Sequence, residues 1–125
     1  MKAVLLVALG GAAGSVLRYL VSVGALRAFG PAFPVGTLLV NVTGSFVMGL
    51  FVEIIARRFG ASPDLRLLLM TGFLGGFTTF SAFSLDAVGL YERSASAAAI
   101  GYVLASVFLS LAAIVAGLAL ARQIA

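Results

Sequence analysis

Thr37, Asn41 and Ser45 stand four residues apart in a stretch otherwise made of apolar side chains. On a helix that spacing stacks three hydrogen-bonding groups on one face. The Asn amide offers two N–H donors and each hydroxyl one. A helix in lipid has no water to satisfy such groups, so a row of them faces a partner helix or a path through the protein. The same spacing returns at Tyr102, Ser106 and Ser110.

Between the two rows lies the run from Gly72 to Phe83, in which Gly72, Gly75 and Gly76 precede Thr78 and Thr79. Three glycines within five residues followed by two threonines weaken a helix near the middle of its span. A break there frees backbone carbonyls and N–H groups, tolerated only against protein, water or an ion, and unwound carbonyls ligate a hard cation. The alternative is a continuous, closely packed helix whose Thr hydroxyls bond back to carbonyls four residues earlier. Phe80 and Phe83 follow, three apart and on one face of a resumed helix. A Phe pair in lipid ordinarily packs; its other use is the positive ring edge, which suits a small anion that a fixed cation would trap.

Arg18 is the basic residue set well inside an apolar run. Intramembrane Arg is costly and marks function, whereas one near a helix end snorkels to the interface. Glu53 and Arg57, four apart, read as a surface pair, and Asp86 as reaching an interface or vestibule.

The composition sets these groups in a membrane. Of 125 residues 62% are hydrophobic and 10% charged, against roughly 25% charged in soluble domains. Mean hydropathy is +1.21. With no Cys and no His there is no thiol nucleophile, disulfide or imidazole, which removes most hydrolase and redox chemistry. No enzymatic activity is expected. The net charge of +4 comes from scattered Lys and Arg with no basic patch, so nucleic acid is not an expected partner; lipid headgroups or an anion are.

Four apolar segments, about residues 3–28, 34–56, 63–91 and 95–121, form a single transmembrane domain, each near the roughly 20 residues a bilayer requires. The apolar run after Lys2 continues to Ala28, which makes it a span rather than a signal peptide. Short turns carrying Gly, Pro and charge separate the segments, so neighbours run antiparallel and both termini lie on one side. Lys2, Arg57, Arg58, Arg66 and Arg122 fall on that side, against Arg18, Arg27 and Arg93. The bias leans toward cytoplasmic termini; one so small is also the pattern of a chain that inserts both ways. Small pairs such as Gly10/Gly14 and Gly72/Gly76 suit close helix packing. Four helices enclose little interior, so a polar path favours oligomerisation.

Three blocks together resemble one family, the Fluc/CrcB-type fluoride channels, along the whole chain. They are Gly10 to Tyr19, glycine-rich and ending Arg-Tyr; Gly36 to Phe46, around Asn41; and Gly72 to Phe83, with Gly-Gly followed by Thr-Thr-Phe-Ser-x-Phe. The resemblance implies an all-α membrane protein with four transmembrane helices per subunit and a broken third helix. It further implies an antiparallel, dual-topology homodimer with two fluoride pores, multi-pass in a prokaryotic plasma (inner) membrane. It implies a structural Na+ at the dimer interface on the backbone carbonyls of Gly75 and Thr78. Matched to the ion pathway are Asn41, Phe80, Phe83, Ser110 and Tyr102, joined by Thr37, Ser106, Ser81 and Thr79, with Arg18 at an entrance. One position departs: Ala82 stands where members often carry Thr, leaving rehydration of the ion to Ser81, Ser110 or water.

The chemistry agrees with such a role. Fluoride is the smallest and most strongly hydrated halide, so closely spaced donors must replace its water. Hydrogen fluoride enters cells as a neutral acid and ionises inside; a passive channel returns the anion under the membrane potential. A proton-coupled multidrug exporter of similar length needs a mid-membrane acid, which the first span lacks. A non-conducting packing subunit leaves the polar rows unexplained.

Overall fold

The computed structural model describes residues 1–125, all of them helix or short connection. Helix α1 runs Lys2–Phe29 and α2 Val35–Arg58. The third span, Pro63–Glu92, is split into α3, residues 63–77, and α4, Phe80–Glu92. The last helix, α5, is Ser96–Ile124. All four spans are long and apolar enough to cross a membrane. Only 18 of 125 residues are buried, while Leu9, Phe29, Phe80, Leu85 and Phe108 are exposed. That inversion is what a bilayer solvent permits and water does not.

Both termini lie at one end. Lys2 Nζ pairs with Asp64 at 2.9 Å, Arg122 Nε with Glu53 at 3.0 Å, and an Arg58 Nη donates to the Ile124 carbonyl at 2.7 Å. Glu53 also takes Arg57 Nε at 2.9 Å, so the surface pair read from the sequence is one arm of a three-residue cluster. Helix α2 packs chiefly along α5 and α1 along α3.

Helix α3 starts at Ser62, whose hydroxyl accepts from the Leu65 N–H at 3.3 Å, with Pro63 in the first turn. This is a favourable N-terminus for a helix. From Arg66 to Leu74 the helix is π-type; the Gly75 N–H reaches back five residues to the Met70 carbonyl. Nothing in the sequence signals this wide stretch. It lies where α1 presses closest: a Cβ on Gly10 would stand 2.8 Å from the Phe73 nitrogen, and one on Gly76 2.6 Å from the Gly11 carbonyl oxygen. Side chains there would force the two backbones apart.

The third span breaks, but not at its glycines. Gly75, Gly76 and Phe77 are helical. The extended residues are Thr78 (φ −88°, ψ 157°) and Thr79 (φ −153°, ψ 121°). β-Branched Thr favours such dihedrals, while the glycines are used for contact with α1. Thr78 Oγ1 still bonds back to the Leu74 carbonyl at 2.8 Å, and Thr79 Oγ1 caps α4 by accepting from the Ala82 N–H at 3.1 Å.

Candidate functional site

A helix that ends in mid-span leaves backbone groups without helical partners. Two side chains from neighbouring helices meet them. Asn41 on α2 pairs with Thr79 twice: its Nδ2 donates to the Thr79 carbonyl at 3.0 Å, and its Oδ1 accepts from the Thr79 N–H at 2.8 Å. That N–H is thereby drawn away from the Gly75 carbonyl, its partner in a continuous helix. Arg18 on α1 donates from Nε to the Gly76 carbonyl at 2.9 Å. The guanidinium thus turns inward to the break; eleven residues, about 16 Å of helix, separate Arg18 from the end of α1 at Phe29.

Beside the break is a cavity of about 380 Å³. Asn41 and Ser45 from α2, Thr78 and Thr79 from the break, Phe80 and Phe83 from α4, and Ser106 and Ser110 from α5 line it, with Met48, Leu111 and Ile114 on its apolar side. Phe80 and Phe83 have ring centroids 5.4 Å apart at 52°, Phe80 being 77% exposed. The Ser106 hydroxyl is buried and has no hydrogen-bond partner. Such a group is rare in an interior and costs stability unless something fills the need. One N–H of the Asn41 amide is likewise left over from its pairing with Thr79.

Ser81 is not in the lining; its Oγ lies 3.2 Å from Thr79 Oγ1. Thr37, although in register with Asn41 and Ser45, lines a second cavity of about 430 Å³ toward the α1–α2 connection, with Ser22, Asp86 and Arg93. Tyr102 stands between the two. It is fully buried, its ring is tilted 44° to that of Phe83 at 5.3 Å and edge-on to Phe33 at 5.5 Å, and its hydroxyl donates to Asp86 Oδ2 at 3.2 Å. The sequence reading did not pair Asp86 with Tyr102. The available signal was its spacing of three from Phe83 along α4, which puts both on one face. No cluster of His, Cys, Asp or Glu capable of holding a metal is present, so a cation here would have only carbonyl and hydroxyl oxygens.

The site therefore offers neutral donors and aromatic edges around a gap in a membrane helix, with no nucleophile and base in contact. Comparison with known proteins decides the family: residues 5–118 match the sequence model described as "CrcB-like protein, Camphor Resistance (CrcB)". The chain belongs to the CrcB-like family. Within it the chain is similar to a protein named fluoride-specific ion channel FluC from Rhizobium etli (strain CIAT 652), 67% identical over 120 residues and 96% of each chain. The protein of the same name from Agrobacterium fabrum (strain C58) is 60% identical over 119 residues, 95% of each chain. That of Rhizobium meliloti (strain 1021) is 57% identical over 122 residues, 98% of each. The CrcB-like assignment covers all four helices, the break and both cavities.

Proposed function

We propose that the protein is a passive, selective fluoride channel of the inner membrane that works as an antiparallel homodimer with two pores. Fluoride transport rests on the family and on its relatives' name, and the chain is not an enzyme. The observation that carries the pore reading is the buried, unpartnered hydroxyl of Ser106, a residue of the wall of the cavity that also holds Asn41, Phe80 and Phe83. An anion that accepts hydrogen bonds fits this lining. Ser106, Ser110 and the spare Asn41 N–H donate to fluoride, and the Phe80 and Phe83 ring edges take the sides that donors do not reach. Chloride is larger and a weaker acceptor, and gains less from the same donors.

In this reading the ion passes along Asn41, Thr79, Phe80 and Phe83 against Ser106 and Ser110, with Ser81 holding the Thr79 hydroxyl. Thr37 and Tyr102 continue the route toward the second cavity, while Arg18 holds the break from the side of α1. Lipid covers the outer apolar faces, and a second copy covers the open side of the first cavity, where exposed Phe80 stands.

The Na+ of the family also has residues here that fit it. Gly75 is exposed and its carbonyl has lost the Thr79 N–H to Asn41, while Thr78 is extended at the break. These neutral oxygens suit a hard monovalent cation. Na+ held by Gly75 and Thr78 and their counterparts in the second copy would tie the two breaks together electrostatically.

Growth of a bacterium stripped of its own fluoride exporters tests the reading. The wild-type chain restores growth in millimolar fluoride; failure to do so with protein present in the membrane contradicts it.

A further inference from the structure

A half-helix ending inside a bilayer presents the negative end of its dipole and carbonyls without donors. At the end of α3 the Gly76 carbonyl is one of these, and its donor is Arg18 Nε, 58 residues away in sequence. The approach is prepared by the chain before it. Gly14, four residues before Arg18, lets α1 lie against Phe73 and Phe77, and Gly76 lets α3 close on the Gly11 backbone. Asn41 holds Thr79 from the opposite helix. The break is thus pinned on its two sides by one side chain from α1 and one from α2.

We propose that Arg18 is a positioning residue: its Nε–H, rather than its charge, fixes the end of α3 and with it the direction of the Gly75 and Thr78 carbonyls and the placement of Phe80. An Arg acting as an electrostatic attractor at an entrance needs only its charge. An Arg acting as a cap needs a donor at the fourth atom beyond Cα. Gln carries an amide nitrogen at that position without charge. Lys keeps the charge but has a methylene there. The two substitutions therefore separate the two roles. This proposal draws on the fluoride-channel reading for its flux measurement and not for its structural one.

The experiment measures hydrogen exchange over residues 75–80 and fluoride efflux from liposomes at low and high ionic strength, for wild type, Arg18→Gln and Arg18→Lys. Positioning requires exchange in Arg18→Lys to rise by about tenfold and its efflux to fall by at least a similar factor, at both ionic strengths. Arg18→Gln stays close to wild type in both. Efflux lost in Arg18→Gln, retained in Arg18→Lys and dependent on salt overturns the proposal, because screening acts on the charge alone. Unchanged exchange in Arg18→Lys overturns it too. Should Arg18→Lys not fold, Arg18→Met replaces it, uncharged and without a donor; equal behaviour of Met and Gln then refutes the cap. A wild-type protein that moves no fluoride refutes the channel reading, and the exchange pattern still judges the cap.

Discussion

Asn41 carries the tightest link between sequence and function. Its amide pairs with both backbone groups of Thr79 and keeps one N–H for the cavity. Replacement by Asp preserves shape and an acceptor for the Thr79 N–H, but loses both N–H donors and adds a charge. A unit negative charge about 4 Å from a passing anion costs ~4 kcal/mol at an effective dielectric of 20, roughly a thousandfold in rate. Asn41→Asp is therefore expected to abolish fluoride efflux from liposomes; unchanged efflux in folded protein removes Asn41 from the pathway. That Asn41 faced something polar was legible from its spacing with Thr37 and Ser45. The identity of its partner was not, because Thr79 becomes a partner only once the helix has opened 38 residues later. Tyr102 teaches the same lesson, since its hydroxyl is taken up by Asp86.

Within the third span, the glycines followed by two threonines announced an interruption, and the structure opens it at the threonines. Gly76 remains helical because it is needed for contact with α1, and the chain opens at the next pair able to stay extended, Thr78 and Thr79. The π stretch before it was illegible, since no local preference favours it and its setting is the close packing against Gly10 and Gly14. Adjacent glycines separate these effects. A Cβ on Gly76 would lie 2.6 Å from the Gly11 carbonyl oxygen, whereas one on Gly75 would lie 3.8 Å from that of Met70. Gly76→Ala should cost about 1–3 kcal/mol through forced separation of the backbones. Gly75→Ala meets no such obstacle within the chain and should cost less than Gly76→Ala. Detergent titration of unfolding measures both, and equal costs would show that the α1–α3 approach does not limit stability.

The whole chain reads as four spans from hydropathy alone, and its end-to-end order follows from the short connections between them. What hydropathy leaves open is how copies are arranged, because lipid-facing and partner-facing surfaces are equally apolar. The structure gives a chain with few buried residues and a mainly apolar cavity, carrying a few Asn, Ser and Thr groups, open beside exposed Phe80. The absence of Cys provides a direct probe. A single Cys added after Ala125 should be labelled by an impermeant maleimide in about half of the molecules in sealed cells, given so slight a charge bias. Labelling of all or none contradicts insertion in both orientations.

Efflux from liposomes holding the purified protein, fluoride against chloride with a potassium ionophore clamping the voltage, addresses selective conduction most directly. Rapid loss of fluoride with chloride retained is the expected result. Retention of both ions in vesicles shown to contain folded protein, or loss of both at similar rates, would contradict it.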